Sequence, residues 1–243
     1  MNLNFAAIPD ADGDDRALCD PSTLSIAPVS VYFRGIEQHL INHIRAATHV
    51  VGCVAWLTSE PLLKELAKKE MACIVIQKED FLRPDISTGS MWEKRLRCLY
   101  SSLRGFDRYY FPHPLCSMSV ACDPTLDAVR CVGNHNSSKN SAFPRAHHKF
   151  LVFLEKTKSH PDYYYDGNDG YEDNSHESFR ATAVWTGSFN FTKNAGQSLE
   201  NAVYIESHEI ADAYYREWAQ VMALSEPLDW ESDWVAPEWR IGS

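Results

Sequence analysis

Two side chains that could act on a phosphate group lie two residues apart in the second half of the 243-residue chain. His147, His148 and Lys149 lead into an apolar run that is typical of a strand. Because side chains alternate between the faces of a strand, His147 and Lys149 should share one side and His148 the other. A neutral imidazole can act as a nucleophile near pH 7, and a neighbouring ammonium group can bind a phosphate oxygen. The pair suggests displacement at phosphorus.

A second polar group follows a strand-like run over 181–186. Gly187 permits a tight turn there, so that backbone N–H groups, the Ser188 hydroxyl and the Asn190 amide can converge on an anion. Glu200 precedes a further strand-like run. Each piece alone is common in proteins, but their order and spacing indicate one site. That candidate site contains His147, Lys149, Ser188, Asn190 and Glu200.

The elements that must position these residues alternate between helices and strands. The hydrophobic patterns predict helices over about 35–48, 61–69, 91–103 and 210–224, and strands over 50–57, 73–76, 148–154, 181–186 and 201–206. The order helix, strand, helix, strand in the first half is typical of a crossover unit with parallel strands. Residues 104–144 have no clear period, and no internal repeat is present.

These motifs resemble the phospholipase D superfamily, and within it the small bacterial nucleases with a single copy of the His-Lys-Asp motif. The resemblance rests on HHKFLVF (147–153), GSFNFTKNA (187–195), ENAVYI (200–205) and the run over 35–58. It covers about residues 31–224, with poor coverage over 104–144 and 155–179. It implies an α/β domain in which a mixed β-sheet is sandwiched between helices.

The resemblance also implies a role for each site residue. His147 would attack phosphorus to give a phosphohistidine intermediate, and Glu200 would orient its imidazole. Lys149 and Asn190 would bind the non-bridging oxygens, and Ser188 would add a hydrogen bond. No metal and no other cofactor is required in this scheme, because Lys149 and Asn190 supply the charge stabilisation.

A complete active site in this superfamily uses two such motifs, whereas this chain has a single His-x-Lys. The resemblance therefore implies a homodimer with a shared active site, in which one histidine attacks and the other protonates the leaving oxygen. One position departs from the motif: Leu154 stands where the motif has Asp. Glu155, or an acid in the loop over 162–177, is the candidate substitute, and loss of activity is the alternative.

Composition limits the choice of partner and compartment. The net charge is −10, but three acidic runs over 10–20, 162–177 and 226–240 together carry −14, which leaves the rest at +4. Local phosphate binding is compatible with that balance, whereas a broad basic face for DNA is not. The seven cysteines have no disulfide-like spacing, and the N-terminus does not read as a secretory signal. We therefore expect a cytoplasmic protein with reduced thiols and no stable membrane association.

The predicted organisation has three parts: an irregular arm over 1–28, a catalytic domain over 29–225 with an insertion loop over 155–180, and an acidic, tryptophan-rich tail over 226–243. The favoured function is a metal-independent nuclease that cleaves DNA or RNA. Phospholipid hydrolysis or headgroup transfer, and an inactive binding scaffold, stay open as alternatives. A zinc site of non-standard spacing is a further open possibility, with ligands drawn from His113, Cys116, Cys122, Cys131 and His135.

Overall fold

The computed structural model describes residues 28–106 except 84, 86 and 87, residues 126–157 except 142, residues 178–236 and Pro112, together with the backbone of five short strands outside these ranges. The strands are β1 (Ala7–Pro9), β2 (Asp15–Ala17), β3 (Thr23–Ile26), β4 (Val29–Tyr32), β5 (His49–Val54), β6 (Met71–Gln77), β7 (Met118–Ser119), β8 (Val129–Val132), β9 (Lys149–Thr157), β10 (Ser178–Gly187), β11 (Ala202–Ile205) and β12 (Arg240–Ile241). The helices are α1 (Ile36–Ala46), α2 (Glu60–Leu66), α3 (Met91–Tyr100) and α4 (His208–Ala223).

Eight strands form one mixed sheet in the order β3-β4-β11-β10-β9-β5-β6-β8. β5, β6 and β8 run parallel, with His49 opposite Met71 and Ile74 opposite Val129. The other neighbours in the sheet are antiparallel. The parallel crossover predicted for the first half of the chain is therefore confirmed as β5-α2-β6.

Helices cover both faces of this sheet. Along β5, Val50 and Val54 pack in a cluster with residues of α1, α2 and α3, whereas Val51 and Cys53 pack in a second cluster with residues of α4. A strand buried on both faces needs apolar residues at every position, which explains its continuous apolar run. The predicted α/β class, with a mixed sheet sandwiched between helices, is confirmed.

Short polar residues begin the helices beside the sheet edge. Ser59 accepts the backbone N–H of Leu62 at 3.4 Å, and Pro61 lies in the first turn of α2. Ser90 and Glu93 form a reciprocal capping box at the start of α3. These caps set where α2 and α3 begin.

The segments at the margins of the predicted domain also contact the sheet. β3, within the predicted arm, pairs with β4 at the edge of the sheet. In the predicted tail, Glu226 and Cys131 exchange backbone hydrogen bonds of 2.9 and 2.8 Å, and Trp230 is buried in the core. β9 ends at Thr157 and β10 begins at Ser178. The insertion loop predicted over 155–180 is therefore three residues shorter at each end. Residues 158–177 lie outside the described residues.

Within the part of the chain that the structure describes, no helix is long and apolar enough to cross a membrane.

Candidate active site

The sequence motifs meet at one edge of the sheet because three strands begin or end there. β9 begins at Lys149 and β10 ends at Gly187, and the last pair between them joins Phe150 to Thr186. Gly187 also lies opposite Ala202, the first residue of β11. The His-x-Lys, Gly-Ser-x-Asn and Glu200 segments therefore flank the same strand ends.

Gly187 is the point at which the chain turns out of β10 with no room for a side chain. Its φ is +157°, and a Cβ atom would lie 2.3 Å from the backbone oxygen of Asn201. This close approach lets the Ser188 N–H donate to the backbone oxygen and to the Oδ1 of Asn201, both at 3.1 Å. The Asn201 N–H donates to the Ser188 hydroxyl at 3.1 Å. Ser188 is thus fixed by the neighbouring strand.

His147 and Lys149 are in contact, as the alternation along the strand predicts. The Lys149 Nζ lies 3.2 Å from His147 Nδ1 and 3.1 Å from Nε2, and it donates to the His147 backbone oxygen at 2.9 Å. Burial, followed by the charges of Lys149, Arg145 and His148, lowers the pKa of His147. The imidazole is therefore held in the neutral form, which is the nucleophilic one.

Burial also lowers the pKa of Lys149, and the charge of Glu200 opposes that change. Glu200 therefore lies close enough to act on the ammonium group. Its hydrogen bond, however, is with the Ser188 hydroxyl, which donates to Oε2. Within a single chain Glu200 thus orients Ser188, whereas the resemblance implies that it orients His147.

Asn190 contributes a polar group without a partner. Its Oδ1 atom is buried and accepts no hydrogen bond within the described part of the protein. A buried polar atom left unpaired costs about 1–3 kcal/mol, so such atoms usually mark a place where a ligand or water completes the bonding. The Oδ1 atom of Asn190 therefore lacks a hydrogen-bond donor among the described residues, whereas binding of a phosphate oxygen would fall to the Nδ2 group of the same amide.

Trp56 is a site residue that the sequence analysis missed. It follows β5, whose last residue, Val54, pairs with Lys149. Its ring meets the His147 ring edge-on, with 5.6 Å between centroids and an interplanar angle of 79°. Its Nε1 donates to Glu79 at 2.8 Å. The available signal was its place at the end of a strand, where residues face the sheet edge rather than the core.

Arg145 and Glu79 complete the surroundings of Trp56. The Arg145 guanidinium lies over the Trp56 ring, 5.8 Å from its centroid. Burial raises the pKa of Glu79, while the hydrogen bond from Trp56 and the charge of Arg145 oppose this. The indole is therefore held on one side by a carboxylate and covered on the other by a cation, which fixes the ring against His147.

Leu154, which stands where the motif has Asp, lies in the hydrophobic core. It lies opposite Ala181 in the sheet, is 2% exposed, and packs in the cluster under α4. Glu155 is exposed and binds Arg180 at 2.7 Å. Leu154 is five residue steps along the strand from Lys149, a distance of about 16 Å. Glu155 therefore does not supply an acid beside His147, and the acids of 162–177 lie outside the described residues.

The remaining histidine and cysteine candidates have other contacts. His148 faces α4, where its Nε2 lies 3.5 Å from Glu217. His135 lies between Asp80 and Asp233, and the Cys131 thiol donates to the Pro227 backbone oxygen at 3.1 Å. The other three possible zinc ligands, His113, Cys116 and Cys122, lie outside the described residues. Among the residues that are described, no group of three His, Cys, Asp or Glu is placed to hold a metal ion.

Comparisons with known proteins find sequence and structural similarity. An uncharacterized protein of Acanthamoeba polyphaga mimivirus is 29% identical over 227 residues, which cover 87% of this chain and 71% of that protein. No family model matches the chain. Among solved structures, a phospholipase D family member, Nuc from Salmonella typhimurium, has a TM-score of 0.45 at 17% identity and covers 82% of this chain and 95% of its own. NucT from Helicobacter pylori has a TM-score of 0.43 at 12% identity and covers 79% of this chain and 96% of its own.

Both TM-scores lie below 0.5, so the chemistry of the site has to be inferred from this chain's own residues.

Proposed function

We propose that this protein is a phosphodiesterase of the phospholipase D type that cleaves nucleic acid through a covalent adduct on His147. The observation that carries the proposal is the contact between the His147 imidazole and the Lys149 ammonium group, at 3.1–3.2 Å, on the sheet edge that also carries Asn190. A nucleophile, a cation and an amide that can donate through its Nδ2 group suit attack on a phosphate.

In the first step a ring nitrogen of His147 attacks phosphorus. A P–N bond forms, and the P–O bond to the leaving alcohol breaks. The lowered pKa of His147 supports this role because it keeps the ring lone pair available. The Lys149 ammonium group and the Nδ2 group of Asn190 donate to the non-bridging oxygens as the negative charge on these oxygens increases, so the proposed reaction needs no metal ion or other cofactor.

The leaving oxygen needs a proton in the same step. His148 does not serve, because it faces α4 on the other side of β9. We assign the proton to the same imidazole of a second copy of the chain, so that the active enzyme is a homodimer. In the second step that imidazole takes a proton from water, the water oxygen attacks phosphorus, and the P–N bond breaks.

We favour nucleic acid over phospholipid because basic side chains flank the site outside the acidic runs. Arg145 lies two residues before His147, and Lys193 lies three residues after Asn190. Both can contact phosphates on either side of the one being cleaved.

The proposed place of action is the cytoplasm.

The test compares substrates and two neighbouring histidines. Labelled DNA, RNA and phosphatidylcholine vesicles are incubated with the full chain in EDTA. We expect cleavage of nucleic acid, a loss of roughly 10³-fold or more in His147→Ala, and near-normal activity in His148→Ala. Denaturing gels of briefly reacted, 32P-labelled substrate should show acid-labile label on the wild-type and His148→Ala chains, and none on His147→Ala.

Three results contradict the proposal. Cleavage that requires a divalent cation contradicts the metal-independent mechanism. Release of choline without cleavage of nucleic acid makes the protein a phospholipid hydrolase. A wild-type chain that binds nucleic acid but leaves it intact, with no labelled adduct, is the inactive scaffold that the Leu154 departure allows.

A further inference from the structure

A groove of about 1160 Å³ lies beside the candidate active site. Trp56, whose ring contacts His147, lines this groove together with Trp92 at the start of α3. Thr192, Lys193 and other residues of the loop that follows Asn190 also line it. We call this feature the tryptophan groove. Its volume exceeds the roughly 300–1,000 Å³ of small-molecule pockets, which suits a segment of a polymer.

Trp92 offers an aromatic surface that the protein leaves uncovered. It is 51% exposed, although it stands next to the buried side chain of the capping residue Glu93. Phe81 packs edge-on against it, with 5.5 Å between ring centroids, so the indole is supported from one side. A supported but exposed aromatic ring is the type of surface on which single-strand binding proteins stack bases.

The charged residues that line the groove are two acids, Glu37 and Glu60, and two lysines, Lys64 and Lys193, so a phosphate would be held locally by Lys193. Glu60 is paired with Lys64 at 2.7 Å and with Arg95, and Glu37 accepts the Ser59 hydroxyl at 2.5 Å. Lys193 is exposed and has no ion-pair partner within the described ranges. It lies three residues after Asn190 in the chain, so we expect it to contact a phosphate next to the reacting one.

We propose that the tryptophan groove binds unstacked nucleotides of a single-stranded nucleic acid next to the scissile phosphate, with a base stacked on Trp92 and a phosphate held by Lys193. The inference rests on the proposed function and names the class of substrate. Bases inside a duplex are already stacked on one another, so a lone indole face favours a single strand. The amide groups of Asn194 and Gln197 lie in the same groove and can bond to base edges.

The test measures binding separately from cleavage. In a His147→Ala background, a fluorescein-labelled twelve-nucleotide single strand, as DNA and as RNA, and the matching duplexes are titrated by fluorescence anisotropy. Trp92→Ala should weaken single-strand binding by about 5- to 150-fold, as loss of one base–aromatic stack does. Lys193→Gln should lower the slope of log K against log salt by about 0.7, the value of one phosphate contact on a single strand.

Two variants provide matched controls. Trp234→Ala removes a tryptophan that is 70% exposed in the C-terminal segment, and Lys94→Gln removes an exposed lysine of α3 that does not line the groove. Both should bind as the parent does. Lys193 lies in an exposed loop, so its variant keeps the test decisive even where Trp92→Ala fails to fold.

The outcomes separate the two proposals. The groove proposal is overturned if both Trp92→Ala and Lys193→Gln bind the single strand as the parent does. It is also overturned if Trp92→Ala weakens duplex binding by as much as it weakens single-strand binding. Binding to phosphatidylglycerol vesicles in place of oligonucleotides, lost in Trp92→Ala, assigns the groove to lipid and overturns it too. Hydrolysis of bis(p-nitrophenyl) phosphate by the wild-type chain in EDTA tests the phosphodiesterase itself, so a failure there is distinct from a failure of the groove.

Discussion

Replacing Lys78 by Met should destabilise the protein strongly. The Lys78 side chain is fully buried, and its Nζ lies 2.5 Å from Glu226, whose side chain is 6% exposed. The same ammonium group donates to the backbone oxygens of Ser232 at 2.9 Å and Trp234 at 2.6 Å. The substitution leaves the Glu226 carboxylate buried without its counter-charge.

The magnitude follows from that burial. Removing one partner of a buried ion pair costs about 3–5 kcal/mol. For a chain of this length each kcal/mol lowers the Tm by about 2–4 °C, so the expected decrease is about 6–20 °C. Urea unfolding followed by far-UV circular dichroism gives the free energy of unfolding, and a thermal scan gives the Tm.

Two further variants decide whether the reasoning holds. Lys64→Met breaks a solvent-exposed pair with Glu60 and should cost no more than about 1 kcal/mol. The double variant Lys78→Met with Glu226→Met removes both charges and should recover most of the stability. A cost below 1 kcal/mol for Lys78→Met, or a double variant no more stable than Lys78→Met, would refute the reasoning.

The remaining predictions concern the site. Arg145→Gln removes a charge that lowers the pKa of His147, so that pKa should rise and the acid limb of kcat/KM should move to higher pH; an unchanged or lower limb would contradict this. Gly187→Ala should cost about 1–3 kcal/mol in urea unfolding and reduce kcat, because its Cβ would lie 2.3 Å from a backbone oxygen; wild-type stability would argue against the tight turn. Mixing equal amounts of wild-type and His147→Asn chains, then allowing exchange, should leave about a quarter of the activity, since each site needs two active chains; half would indicate independent subunits.

The parts of the site that depend on neighbours in sequence could be predicted. His147 and Lys149 are in contact because residues two apart in an extended chain project to the same side of that chain. Their spacing in the sequence is enough to predict this contact. The strands that carry them could be located because their apolar runs match buried strands. The fold class followed from the alternation of helices and strands.

The parts that depend on strand pairing could not be predicted. Trp56 contacts His147 because β5 pairs with β9. The register between two strands that are distant in the chain cannot be deduced from the sequence of either strand. The bond between Glu200 and Ser188 depends in the same way on how β10 meets β11. β8 could not be recognised because Arg130 interrupts its short apolar run; the arginine is buried there and donates to the Ser225 hydroxyl, a partner far away in the sequence.

The segment after α4 has a consequence for how two copies of the protein can meet. β8 is the last strand of the sheet, and the backbone hydrogen bonds between Cys131 and Glu226 occupy its outer side. A strand from another molecule cannot add there without displacing that segment, so the chain protects its own border against growth into a continuous sheet. The proposed dimer with a shared active site would therefore not form through a joined sheet at β8, and we expect it to form across the strand ends, where His147 lies.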